Sequence, residues 1–293
     1  MKKNSRIAFF GTPQFAVTIL EKLKEAGIVP ALIVTSPDKP AGRGLAMTPP
    51  PVKEWAIAED VSYIQPKTLK GDDPEKDVLI NSDWDLFIVA AYGKILPAEI
   101  LNLPHGGTLN VHPSLLPRFR GASPIESQIL ADEKVVGVSI MLMDEEMDHG
   151  PVVAAIEITP DPWPLPASSL EALLAEEGGN LLAEVIPLWK EEGDTTLKIE
   201  PQQHDAATFT AKIKKEDGCI VLGDDPYANY LKFCAYDQWP GTYFFHEHHG
   251  KQIRVKITEA AYERGSFTPL RVIPEGKKEM DYQDFIRGYT SAT

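Results

Sequence analysis

Cysteine is nearly absent. Of 293 residues only Cys219 and Cys234 carry a thiol, and they form no CxxC pair. That argues against a disulfide framework or a thiolate zinc cluster and fits a cytosolic setting. Long apolar runs are missing too: none approaches the ~18 residues that a membrane-spanning helix needs. The basic start, with Lys2, Lys3 and Arg6, runs into a short strand-like stretch and a turn, not into a leader with a cleavage site. Positive charge is scarce, 29 Lys and Arg against 43 Asp and Glu, for a formal net charge of −14. This balance argues against broad electrostatic attraction to nucleic acid but leaves a local basic patch open. Two familiar motifs are lacking as well. The turn "FFGTPQFA" has one glycine where a dinucleotide fingerprint has three, and its Pro13 has no N–H to offer a phosphate. Nor is there a GxSxG nucleophile elbow.

What is present is an alternation of apolar strands and amphipathic segments. Ile7 to Phe10, Ala31 to Thr35, Leu86 to Ala91, Leu109 to His112 and Val135 to Met143 read as buried strands, with Val152 to Ile158 as a possible edge strand. Phe15 to Lys24 has apolar residues at 15, 16, 19, 20 and 23, the spacing of a helix face, and Pro13 suits its first turn. The pattern predicts an α/β unit with a largely parallel sheet. Leu170 to Trp189 is a further helix. The polar stretch Glu191 to Ala207 reads as a linker. Beyond it lie a helix at Tyr227 to Ala235 and short strands at Thr242 to His246 and Gln252 to Ile257, the signature of a smaller β-rich domain. The resulting division is a first domain at 1–189, a linker at 190–208 and a second domain at 209–293.

The chemistry concentrates in "TLNVHPSLLPRFRG". Asn110 and His112 alternate on one strand and therefore point to one face. The carboxyl ends of strands in an open α/β sheet are where active sites sit. The acidic turn "MDEEMDHG", with Asp144, Glu145, Glu146 and Asp148, follows a neighbouring strand. An amide, an imidazole and a carboxylate brought together suit acyl or proton transfer, the first two stabilising an oxyanion and the third orienting the ring. A capped strand end with a satisfied histidine is the bland alternative. "HEHH" at 246–249 is not HExxH and sits on a hairpin, so a solvated turn is preferred to a metal site. The Pro- and Gly-rich loop from Ser36 to Lys53 is too long for a mere connector.

The segments "SPDKPAGRG", "VAAYGKILP", "LNVHPSLLPRFRGASPI", "GVSIMLMDEEMDHGPV", "AKIKKEDG" and "WPGTYF", in this order, resemble the methionyl-tRNA formyltransferase family. The likeness runs over essentially the whole chain. It implies a Rossmann-like, mostly parallel N-terminal domain and a small, abbreviated OB-like barrel after it. It also implies transfer of the formyl group of 10-formyltetrahydrofolate to initiator methionyl-tRNA. Asn110, His112 and Asp148 would be the catalytic trio, Ser114, Leu115, Leu116 and Pro117 would bind the folate, and Arg43 would engage the tRNA. No metal and no membrane are implied, and the expectation is a cytoplasmic monomer. A formyltransferase acting on a small amine, such as an amino sugar nucleotide, is the alternative. A formate-releasing hydrolase and a non-catalytic tRNA- or folate-binding protein are weaker ones. Three features depart from the family pattern. Gly44-Leu45-Ala46 stands where many relatives carry a lysine, and His149 stands where threonine is usual. The stretch between Ile257 and Gly276 is expected to replace the barrel's further strands, leaving it smaller or open on one side.

Overall fold

The structure is a computed structural model that describes residues 6–41, 46–189 and 197–289. In chain order it contains β1 (Ile7–Gly11), α1 (Gln14–Glu25), β2 (Leu32–Val34), β3 (Lys39–Ala41), β4 (Ala46–Thr48), α2 (Pro51–Ala58), β5 (Tyr63–Ile64), α3 (Asp77–Ile80), β6 (Leu86–Ala90), α4 (Ala98–Leu101) and β7 (Thr108–His112). There follow β8 (Arg120–Gly121), α5 (Pro124–Leu130), β9 (Val136–Leu142), β10 (Val152–Ile158) and α6 (Ala167–Leu188). The last part holds β11 (Phe209–Thr210), α7 (Pro226–Ala235), β12 (Tyr243–His248), β13 (Lys251–Glu263), β14 (Ser266–Pro274), β15 (Met280–Asp281) and α8 (Tyr282–Tyr289). No helix among the described residues is long and apolar enough to cross a membrane.

Two compact units result. Residues up to Gly121, Gly137–Ile158 and Glu171–Phe209 form the first; Ala122–Val136, Thr159–Leu170 and the residues from Thr210 on form the second. Two stretches that a linear reading assigns to the N-terminal domain, 122–136 and 159–170, thus pack with the C-terminal part. One carboxylate shows why: Asp132 Oδ1 accepts hydrogen bonds from Trp163 Nε1 and Tyr227 Oη, both at 2.8 Å.

The first unit is built on a seven-stranded sheet in the order β10-β9-β7-β6-β1-β2-β5. Strand β1 is parallel to β2 and β6, β6 is parallel to β7, and β2 is parallel to β5. Every residue of β1, β6 and β7 is buried, as befits strands covered on both faces; β1 and β6 are apolar runs, whereas β7 buries Thr108, Asn110 and His112 as well. The chain leaves β1 toward β2 and β5, then returns to place β6 on the other side of β1. The carboxyl ends of β1 and β6 therefore flank the crevice where such sheets bind ligands. Helix α1 buries Phe15, Ala16, Ile19, Leu20 and Leu23. Pro13 sits at its N-cap in an extended conformation, one residue before the first turn in which the sequence placed it. The described half of the segment taken for a linker belongs to the first unit: Glu200 pairs with Val152 and Gln202 is buried.

Strand β9 runs antiparallel to β7, with Asn110 opposite Met141 and His112 opposite Ser139. Ser139 Oγ donates to the Ser114 carbonyl at 2.8 Å and accepts from the Leu116 amide at 3.1 Å, pinning the loop after β7 onto the sheet. Leu115 closes over Gly137, where a Cβ would lie 2.5 Å from Leu115 Cδ2 and 2.1 Å from the Ile156 carbonyl oxygen.

In the second unit β12, β13, β14 and β15 form a four-stranded sheet in that order, all three pairings antiparallel. The stretch expected to replace the barrel's further strands instead supplies the second half of β13 and all of β14. Its turn, Arg264-Gly265, has positive φ at both residues (51° and 78°), the two-residue hairpin geometry that matches strand twist. Ile220, Phe244, Val255, Ile257, Val272 and Phe285 form the buried core beneath. HEHH lies on the β12–β13 hairpin, as read.

Gly137→Ala drives a methyl into backbone on one side and Leu115 on the other. We expect it to lower unfolding stability by about 1–3 kcal/mol in guanidinium titration. An unchanged midpoint would show that the strand has room to give.

Candidate active site

The site is built at the carboxyl end of β7. Asn110 and His112 are 9% and 4% exposed on one face of that strand. His112 Nε2 lies 3.0 Å from the Phe119 carbonyl oxygen. A carbonyl offers only lone pairs, so Nε2 carries a hydrogen. The other nitrogen, Nδ1, then faces Asp148 Oδ1 at 3.7 Å, too long for a direct hydrogen bond but close enough for strong electrostatic interaction. Burial pushes the imidazole below its ordinary value of 6.5; Asp148 and the Phe119 carbonyl oppose the shift, and the positive charge of Arg120 adds to it. The resting ring is therefore neutral, its free lone pair turned toward a carboxylate. Such a pair is set to take up one proton.

Asp148 sits on the acidic turn after β9 with φ of 50°, a left-handed backbone that a non-glycine residue adopts only when held. Its Oδ2 accepts the Gly121 amide at 2.7 Å, which leaves Oδ1 for the imidazole. The other acidic residues have separate roles. Asp144 Oδ2 lies 2.6 Å from His149 Nδ1, and its Oδ1 accepts the Glu146 amide at 3.0 Å. Glu145 and Glu146 are exposed.

The loop after β7 is held from within. Ser114 Oγ donates to the Arg118 carbonyl at 2.7 Å, so this fully buried hydroxyl is committed to the loop's own shape. Leu115, Leu116 and Pro117 are half-buried beside it. Phe119 has φ of 60°, and Thr208 Oγ1 fixes it by accepting its amide at 2.8 Å. This turn is what presents the Phe119 carbonyl to His112. Arg43 lies outside the described residues.

Sequence reasoning passed over Phe119, Arg120, Gln202 and Thr208. Thr208 and Gln202 come from the polar stretch read as a linker, and no local pattern separates a linker from a strap laid over a site. Arg120 is 3% exposed and bonds to Gln202 and His204. His149, the unusual neighbour of Asp148, stacks on His204 with centroids 4.1 Å apart and planes 6° from parallel.

Residues 5–186 match the sequence pattern of the formyl transferase family, described as "Formyl transferase". The chain is 37% identical over 308 aligned positions to methionyl-tRNA formyltransferase of Thermus thermophilus, spanning 97% of this chain and 96% of that one. Among solved structures it is similar to methionyl-tRNA formyltransferase from Clostridium thermocellum, with a TM-score of 0.61 at 15% identity over 95% of this chain and 100% of that one. It is also similar to WlaRD, a sugar 3N-formyl transferase solved in the presence of dTDP and 5-N-formyl-THF, with a TM-score of 0.62 at 18% identity over 88% and 87% of the two chains. At such identities the structural likeness speaks for the fold alone, whereas the sequence match reaches along nearly the entire length. The chain belongs to the formyl transferase family.

Proposed function

We propose that this protein transfers the formyl group of 10-formyltetrahydrofolate to the amino group of methionyl initiator tRNA. The observation that carries the chemistry is the buried His112 with its lone pair facing Asp148, on the same strand face as Asn110. The acceptor is suggested by the near-full-length match to a methionyl-tRNA formyltransferase.

The steps balance without a covalent enzyme intermediate. The amine lone pair forms a bond to the formyl carbon, and the C=O π pair moves to oxygen. The Asn110 amide N–H is the donor for that oxyanion. The proton shed by the attacking nitrogen goes to His112 Nδ1. The imidazolium so formed is balanced by Asp148 and places positive charge beside the oxyanion. Collapse breaks the bond to the folate nitrogen, which recovers the proton from the ring. Ser114 to Pro117 form the rim on the folate side, with Ser114 acting through the loop it braces. Arg43 engages the acceptor end of the tRNA, residues 209–293 supply further tRNA contacts, and the protein works as a cytoplasmic monomer.

Formyl transfer to charged initiator tRNA, compared with transfer to amino sugar nucleotides and to water, tests the reading. Turnover of a sugar nucleotide with none of the tRNA would overturn it. Asn110→Ala should lower kcat by about 10²–10³, the usual cost of one oxyanion donor. A rate within a factor of two of the parent would remove Asn110 from the role. Arg43→Ala should raise KM for tRNA and leave folate affinity alone, and equal KM values would count against a contact there.

The protonation state has its own signature. The unfolded chain's imidazole takes a proton near 6.5, whereas the buried ring of the native state takes it only at lower pH. Below 6.5 the unfolded state therefore binds more protons, and stability falls as pH falls through that value. His112→Asn should flatten this dependence in unfolding titrations between about pH 7.5 and 5.5. Identical slopes in parent and variant would mean that the native ring takes up its proton over the same range as the unfolded one, so that burial does not disfavour its charge.

A further inference from the structure

The most tightly specified side chain near the site is one outside the residues that match the family pattern. Gln202 is 7% exposed, and its amide uses all its hydrogen-bonding capacity. Nε2 donates to the carbonyls of Asp148 at 3.0 Å and Gly150 at 2.6 Å, the residues on either side of His149. Oε1 accepts twice from one guanidinium, Arg120 Nε at 3.0 Å and Nη2 at 2.6 Å. Two donors meet two carbonyls and two lone pairs meet two N–H groups, so neither a flipped amide nor a carboxylate fits. Arg120 Nη2 also lies 3.0 Å from His204 Nδ1, which must be the accepting nitrogen because guanidinium has no lone pair to offer. The His204 ring stacks on His149, and His149 Nδ1 is bonded to Asp144. The turn from Asp144 to Gly150 is thus gripped at its carbonyls by Gln202 and at its half-buried His149 ring by His204.

Asp148 needs such a grip. Its φ of 50° is an unfavourable conformation for a residue with a Cβ, and its carboxylate must reach His112 from that backbone. One end of the carboxylate is fixed by the Gly121 amide, which follows Arg120 directly in sequence. Gln202 therefore ties the two segments that position Asp148: it holds the turn's carbonyls with its nitrogen and the Arg120 side of strand β8 with its oxygen.

We propose that Gln202, braced by Arg120, is a positioning residue for formyl transfer, setting the distance between Asp148 and His112 without touching the reacting atoms. The inference rests on the reading of Asp148 as the carboxylate partner of His112. Its test uses the full-length protein with Gln202→Met, Gln202→Asn, Asp148→Asn and the Asp148→Asn/Gln202→Met double variant, each checked for cooperative thermal unfolding. Formyl transfer to methionyl initiator tRNA is measured with kcat and KM separated. Gln202→Met should lower kcat by up to about 10²-fold, as expected for a reacting group displaced by an ångström, with KM for the folate donor unchanged. Gln202→Asn, which keeps a buried amide but withdraws it by one methylene, should lose less. In the Asp148→Asn background the Gln202→Met change should cost less than about threefold, because the group it positions is gone. A folded Gln202 variant with parental kcat overturns the proposal. So does a loss of equal size with and without Asp148, which would mark Gln202 as a support for the fold in general. If Asp148→Asn alone leaves kcat intact, the reading of Asp148 fails first and the positioning role fails with it. Should Gln202→Met not fold, the milder Gln202→Asn in both backgrounds decides the same question.

Discussion

The hydrogen bond from the His112 ring to the Phe119 carbonyl decides what the rest of the site can do. It assigns the hydrogen to Nε2 and so leaves Nδ1 as the nitrogen that meets Asp148. A ring free to flip would present either nitrogen to the carboxylate, and proton transfer would need the correct tautomer to be found at each turnover. The carbonyl is aimed by a left-handed Phe119, and that backbone is held by Thr208 across 89 residues of sequence. The orientation of the His112 ring thus descends from a threonine hydroxyl on a polar strap and from the sheet that carries β7.

The same logic explains the burial of so many polar groups near one strand end. Asn110, His112, Ser114, Arg120, Ser139 and Gln202 are each less than one-tenth exposed. Buried polar groups are tolerable only when satisfied, and those whose partners are described spend their hydrogen bonds on backbone or on one another. A network satisfied in this way has few alternative arrangements. It rigidifies the loop after β7 and the turn after β9 together, which suits a reaction that depends on where a charge appears more than on a strong nucleophile.

Much of this was legible in the sequence, for identifiable reasons. Apolar runs too short for helices gave the central strands within a residue or two, because strands buried on both faces admit little else. Period-two alternation put Asn110 and His112 on one face. The Asp148 partner was readable as a member of an acidic cluster on a neighbouring strand end. Its selection over Asp144 came from the family resemblance alone; the acidic cluster by itself does not make it, and the positive φ and the Gly121 amide are what set Asp148 apart in the structure. The β13–β14 hairpin was misjudged because the family pattern was used to subtract strands, although Arg264-Gly265 is itself a hairpin turn signal. Gln202 and Thr208 were invisible in principle. Their roles rest on partners 52 to 89 residues away, and "EPQQHDAATF" has the composition of any solvated connector.

The charges around His112 show why distance control matters at this site. Asp148 favours a proton on the ring, while burial and Arg120 oppose it. A unit-charge pair about 4 Å apart in a protein environment of effective dielectric ~20 interacts by about 4 kcal/mol, and moving the partners apart by an ångström removes about 1 kcal/mol of that. Such a change alters a rate severalfold before any loss of hydrogen-bond geometry is counted. The amide of Gln202 contacts the guanidinium on one side and the backbone of Asp148 on the other. The group that raises the ring's proton affinity and the group that lowers it are therefore held by one side chain. Neither can drift without straining the other's anchor, so the opposing charges on either side of the buried His112 ring are placed by a single hydrogen-bond network.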